Sequence, residues 1–235
     1  GEVIRSDIVI SNASVWDTQR LLPEGALPGE KQEKMETPEC ASFMHLHLGI
    51  DASDLPDDLE CHHVVVNDWE LGVEAPQNVI IISIPTVFDP TLAPDGKHVV
   101  HAYTAGNEPY SIWEGMDRNS PEYKALKKER AECLYAALEN VIPDIRSRVE
   151  VEMIGTPLTH ERFLRRHRGS YGPAIKAGQA TFPGPGTSLP GLYCCGDSTQ
   201  PGIGLPAVAA SGMIAANTIA PVWKHWDLLK KIGAW

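Results

Sequence analysis

Nothing in this chain is long and apolar enough to cross a bilayer. Its strongest apolar run, Val79 to Ile84, is of strand length, against the roughly 20 residues a membrane helix needs. Cysteine is sparse and patternless. The five, at 40, 61, 133, 194 and 195, contain no C-x-x-C, so neither a zinc ribbon nor a dithiol redox pair is indicated. An odd, scattered set reads as buried free thiols in a reducing compartment. Positive charge is short as well. With 20 Lys and Arg against 31 Asp and Glu the net charge is -11, which repels phosphates over most of the surface and excludes nucleic acid as an expected partner. No Ser-His-Asp or Cys-His pairing points to covalent catalysis. There is no signal-peptide pattern and no initiator methionine, and Val3-Ile4 and Ile8-Val9-Ile10 already read as structure. The expectation is a processed product or a piece of a longer protein. What remains is an ordinary globular composition, 43% hydrophobic and 22% charged over 235 residues, enough for one large domain or two small ones.

The most informative stretch is Gly191 to Ile219, GLYCCGDSTQPGIGLPAVAASGMIAANTI. Leu192 to Cys195 suits a buried strand. Gly196 ends it, and Asp197 sets a carboxylate at the strand tip. Pro201, Gly202, Gly204 and Pro206 make a tight turn, and from Leu205 the residues are small and helix-compatible. Such a unit fits a ligand carrying both a polyol and a phosphate. The aspartate accepts from hydroxyls, glycines admit close backbone approach, and the free N–H groups of a helix start attract negative charge. Gly202-Ile203-Gly204-Leu205-Pro206-Ala207 also scores as the dinucleotide fingerprint G-x-G-x-x-A. That reading fails because only about 16 residues follow the helix, too few to complete a βαβ unit of roughly 30.

Taken in order, Ile4 to Ser11 is β-like, Asn12-Ala13-Ser14 is a turn, and Val15 to Leu22 is a short helix stopped by Pro23. A polar linker follows over 23–38. Ser42 to Ile50, SFMHLHLGI, alternates: Met44, Leu46, Leu48 and Ile50 line one face, and His45 and His47 share the other with Phe43. Histidines at i, i+2 on a strand can ligate a metal, but no third ligand is evident nearby. His62-His63 on a neighbouring strand is the one candidate. Hydrogen-bonded or cavity-lining imidazoles are the preferred reading, and no metal is expected. Further strands are predicted over Cys61–Asn67, Val79–Ile84 and His98–Thr104, with an Asp95-Gly96 hairpin signal, implying an antiparallel sheet from about 42 to 105. Ser120-Pro121-Glu122 starts a long amphipathic helix that Pro143 ends. Val149 to Ile154 is another strand, and Thr156-Pro157 starts a short helix. The arginines at 162, 165, 166 and 168 fit three readings: a solvated face, pairing with local carboxylates, or an approach to cofactor phosphates. In the tail, Trp226, Leu228, Leu229, Ile232 and Trp235 share a helical face, with Lys224, Lys230 and Lys231 off it. That pattern suits a membrane surface, the chain's own domain or a partner protein.

Four segments in order, IRSDIVISNASVWDT, SFMHLHLGIDAS, RFLRRHRGSYGP and GLYCCGDSTQPGIGLPAVAASG, resemble the C-terminal half of the carotenoid cis–trans isomerase and phytoene desaturase family of FAD enzymes. The family's N-terminal dinucleotide fingerprint is absent from this sequence. The resemblance implies FAD, reduced for isomerisation. It puts Asp197 on the ribityl chain, and Gly196, Gly202, Gly204, Leu205, Ala207 and Val208 around the pyrophosphate and flavin edge. It also implies His45 and His47 beside the substrate tunnel, with a carotenoid as substrate. The expected fold is α+β: a mixed or antiparallel substrate-domain sheet with packed helices over 42–155, flanked by parts of a Rossmann-like FAD domain at 1–22 and 156–220, with an amphipathic tail over 221–235. The expected activity is cis-to-trans isomerisation of poly-cis carotenes without net redox, in the plastid and peripheral to a membrane. The alternatives are a related desaturase or amine oxidase, and a non-catalytic pigment-binding or structural subunit of a membrane-associated, photosynthetic complex.

Overall fold

A computed structural model describes residues 2–27, 36–176, 178 and 181–234. The chain is α+β, and it divides into two compact units: residues 40–171, and residues 1–39 together with 172–235. Residues 156–171, expected with the C-terminal flavin piece, group with the sheet.

The unit over 40–171 is a five-stranded antiparallel sheet. Its strands are β2 (His45–Asp51), β3 (His62–Val66), β4 (Val79–Ser83), β5 (Lys97–Thr104) and β6 (Val149–Gly155), ordered β3-β4-β5-β2-β6. Alternation in β2 dictates its two faces. Met44, Leu46, Leu48 and Ile50 are buried, alongside Ile80, Ile82, Val100 and Ala102 from β4 and β5. Each of these side chains except that of Ala102 contributes about 1.5–3 kcal/mol by leaving water. The layer covering this face is α2 (Pro121–Glu139), which buries Leu134, Ala137 and Leu138. Its start is the one the sequence announces: Ser120 accepts from the Tyr123 amide, and Pro121 occupies the first turn, where no N–H is needed. After α3 (Ile145–Arg148) and β6 comes α4 (Pro157–Leu164), opened by a capping box between Thr156 and Thr159 and closed by Arg165 in the left-handed region.

The second unit pairs β1 (Val9–Ser11) in parallel with β7 (Leu192–Cys194). The β-like segment predicted over residues 4–11 is thus a strand only at its end; residues 2–8 are exposed and make no ladder. Ser14 caps α1 (Val15–Leu21) by accepting from the Asp17 amide. Two more helices follow, α5 (Leu205–Ile219) and α6 (Val222–Lys231), and α6 buries none of its residues. Residues 28–35 of the polar linker predicted over 23–38 lie outside the described residues, as does Trp235. Among the described residues no helix is long and apolar enough to cross a membrane.

Candidate functional site

Two places concentrate chemistry, one in each unit. The first is the loop from Gly196 to Val208. Gly196, at φ 101°, spends its N–H on Ser211 Oγ at 2.7 Å, and a Cβ there would stand 2.5 Å from Asn12 Oδ1. This glycine allows the close packing of strand tip on turn. Asp197 follows half-buried and accepts from Ser198 Oγ at 3.2 Å. Gly202, at φ 121°, sits where a Cβ would meet the Phe182 ring at 2.7 Å, whereas a Cβ on Gly204 would meet nothing within 4 Å. Gly204 is also the N-cap of α5, and among the described residues no side chain caps that end. Pro206 has no N–H, and the Val208 amide is bonded to Gly204 O at 2.9 Å. The amides of Leu205 and Ala207 are left as donors without an intrahelical acceptor, at the positive end of a 15-residue helix. An uncapped helix start behind an open glycine, with a carboxylate close in sequence, fits the pyrophosphate and ribityl part of a flavin nucleotide.

The second place is the face of the sheet away from α2. Period-two alternation sends His45 and His47 there, and the β2–β5 register sets His101 directly across from His47. The sequence reading missed His101. The sequence's candidates for a third imidazole, His62 and His63, lie on edge strand β3, separated from β2 by both β4 and β5, and there His62 bonds Ser83. The signal was present as the i, i+2 partner pattern of His98–Thr104, but only a known register converts it into a neighbour. From α4, His160 completes a cluster of four. His45 Nδ1 is 2.8 Å from His101 Nε2, and His45 Nε2 is 2.7 Å from His160 Nε2. The His47 and His101 rings stack with centroids 4.2 Å apart and planes 6° from parallel. Gly155 faces His45 across the strands and leaves room for it, since a Cβ there would lie 3.3 Å from His45 Cβ. The cluster forms part of the wall of a pocket of about 450 Å³ that Met153, Ile154 and Leu164 also line.

Burial disfavours the charged form of all four imidazoles. His45 is pushed down to about 2, first by desolvation and then by His160, His101 and His47; His101 falls to about 4 by desolvation and then by His47. His47 is lowered by desolvation, and His160 by desolvation and then by Arg166. A neutral ring carries one N–H, so His45 donates to one imidazole neighbour and accepts from the other. The consequence for stability has a definite sign. Between the unfolded value near 6.5 and the folded values, only the unfolded chain takes up these protons, so stability falls as pH falls below about 6.5. For His45 the loss is about 2 kcal/mol at pH 5. Urea unfolding at pH 7 and pH 5, with a chelator present, should show that loss, and His45→Leu should flatten it. An unchanged slope in the variant would refute an origin in these imidazoles.

Two of the arginines after α4 are locally engaged. Arg168 lies over the Tyr110 ring at 5.0 Å and 3.7 Å from Glu114, and Arg166 Nε donates to Ser170 O at 2.8 Å.

Residues 1–220 match the family model described as flavin containing amine oxidoreductase. The chain is 39% identical over 218 residues to the chloroplastic prolycopene isomerase of Arabidopsis thaliana and 38% identical over 227 residues to that of Daucus carota. These alignments cover 90% and 94% of this chain, and the chain spans only 36% of the length of each relative. Among solved structures, an oxidoreductase from Methanosarcina mazei superposes with a TM-score of 0.52 at 20% identity, covering 90% of this chain and 43% of the other.

Proposed function

The chain belongs to the flavin containing amine oxidoreductase family, and from that premise we propose that it serves a flavin-dependent carotenoid isomerase, converting poly-cis carotenes to trans forms with no net redox change. The observation that carries the proposal is the loop at 196–208, in which an open Gly204, an uncapped helix start and Asp197 follow one another. The identity to prolycopene isomerases over nine-tenths of the chain supports the choice of substrate class.

In this reading the Leu205 and Ala207 amides donate to the cofactor's pyrophosphate oxygens, Gly204 lets the cofactor approach the main chain closely, Gly202 packs on the Phe182 ring and shapes the turn, and Asp197 holds a ribityl hydroxyl. Gly196 and Val208 use their N–H groups internally and shape the loop instead. Reduced flavin, when bound, supplies electron density that lowers double-bond order in a conjugated chain, so that rotation follows without net oxidation. The protein's own contribution is orientation and exclusion of water. Met153, Ile154 and Leu164 would lie along the polyene, with His45 and His47 on the floor beneath it. The reading puts the protein in a plastid, as the names of its relatives specify for them. The exposed Trp223, Trp226 and Leu228 of α6 would meet a membrane surface or a partner protein there.

The test uses the protein isolated from its source. Flavin absorption in near-stoichiometric amount, and an all-trans product from a poly-cis carotene under anaerobic reducing conditions, are expected. Asp197→Asn should weaken flavin retention by about tenfold or more, the loss of one charge-assisted hydrogen bond of about 1.5–3 kcal/mol. Carotenoid or chlorophyll bands without flavin, or a desaturated product, would overturn the proposal.

A further inference from the structure

We propose that His45, His47 and His101 form a three-imidazole site for a divalent late first-row transition-metal ion, with His160 as the hydrogen-bond acceptor that orients His45. One ring nitrogen from each of the three lies within 4.8 Å of the others. A zinc–nitrogen bond of about 2.0–2.1 Å with tetrahedral angles needs nitrogens about 3.3 Å apart. His45 Nδ1 and His101 Nε2, now 2.8 Å apart, must open by about half an ångström, and His47, whose ring lies 6° from parallel to that of His101, must turn out of that stack to aim a nitrogen at the ion. The backbone supplies the rigidity. His45 and His47 belong to β2, which is paired on both sides, and His101 sits directly across from His47 in β5.

The donor chemistry selects the ion. Imidazole nitrogens suit zinc, copper, iron and nickel, while magnesium and calcium require oxygen ligands that this set does not offer. An ion between His45 Nδ1 and His101 Nε2 takes the place of the proton those two nitrogens share in its absence. His45 must then carry its hydrogen on Nε2, where His160 Nε2 stands 2.7 Å away to accept it. A ligating histidine whose other N–H is held by a neighbour is the usual arrangement that fixes ring orientation. With three protein ligands the coordination sphere stays open, and the pocket lined by Met153, Ile154 and Leu164 gives that position to a water or a small oxygen ligand. The site stands independently of the flavin reading, because its test measures metal and not turnover.

The experiment titrates the full chain, stripped with a chelator and dialysed, with Zn²⁺ by calorimetry and with Co²⁺ by visible absorption. One ion per chain at micromolar affinity or tighter is expected, with the intense Co²⁺ bands of a four- or five-coordinate site. His47→Gln and His101→Gln should each weaken binding by about 100-fold and His160→Gln by about tenfold. The His62→Gln/His63→Gln double variant should bind as the parent does. Absence of binding, an affinity in the His47 or His101 variant no weaker than the parent's, or loss in the His62/His63 variant would each overturn the site. Cu²⁺ electron paramagnetic resonance on the unsubstituted protein decides the matter without relying on any variant to fold. Nitrogen couplings from three imidazoles support the site, and fewer than three overturn it.

Discussion

Glu108→Ala is expected to lower the unfolding free energy by about 3–5 kcal/mol. The Glu108 side chain is fully buried, and both of its oxygens are used. Oε1 accepts from Trp113 Nε1 at 2.9 Å and from Arg130 Nε at 3.0 Å, and Oε2 accepts from Arg130 Nη2 at 2.7 Å. The backbone leaves the residue little freedom to withdraw, because Ser42 and Glu108 exchange N–H···O bonds in both directions at 2.8 and 3.0 Å. Truncation therefore strands a guanidinium whose side chain is only 18% exposed, together with an indole N–H inside the core. The stranded N–H alone costs about 1–3 kcal/mol. Glu108→Gln should cost less, since its carbonyl oxygen still serves Trp113. Adding Arg130→Met to Glu108→Gln should recover part of the loss, because a missing pair is cheaper than an unpaired buried charge. Urea midpoints at constant m-value measure all three variants. A loss below about 1 kcal/mol for Glu108→Ala would mean that the network contributes nothing beyond filling space.

Glu108 also marks where sequence reasoning stops. The alternation of Met44, Leu46, Leu48 and Ile50 and the Ser120-Pro121 helix start were legible because each is a local pattern with a local cause, and the structure repeats them. The strands predicted over Cys61–Asn67, Val79–Ile84, His98–Thr104 and Val149–Ile154 correspond to β3, β4, β5 and β6 within a few residues. An acid in the polar run Gly106-Asn107-Glu108 gives no sign of being interior, since its partner Arg130 is 22 residues away on a helix whose exposed face is just as charged. The histidine cluster fails for the same reason. His45 and His47 declare their shared face within one strand, but His101 and His160 join them only through a strand register and the placement of α4. The glycine loop was the reverse case. Positive φ at Gly196, Gly202 and Gly204, and the uncapped start of α5, follow from residue types within a dozen positions of one another.

The turn that seats α4 offers the sharpest backbone test of the cluster. Gly169 has φ of +58°, and a Cβ on it would stand 2.3 Å from Pro157 O, 3.0 Å from Pro157 C and 3.3 Å from His160 Cβ. The first two are backbone atoms at the start of α4, so relief requires moving the helix and not merely a side chain. The loop cannot simply retreat, because Ser42 Oγ donates to Gly169 O and the Gly169 amide is bonded to Arg166 O at 3.2 Å. Gly169→Ala should therefore cost about 1 kcal/mol for the left-handed backbone and a further 1–3 kcal/mol for the displacement. The total is about 2–4 kcal/mol, a fall of roughly 10 °C in the unfolding midpoint. Gly96→Ala separates the two contributions. Gly96 has φ of +70° with nothing within 4 Å of its would-be Cβ, so it should show the backbone cost alone. The displacement also has its own readout. His160 rides on α4, so pushing the helix outward stretches the 2.7 Å contact to His45 and should shift the His45 ring resonances in Gly169→Ala but not in Gly96→Ala. Equal stability losses in the two variants, with unchanged imidazole resonances, would show that α4 is not wedged between Gly169 and the sheet. The geometry of the histidine cluster would then need another explanation.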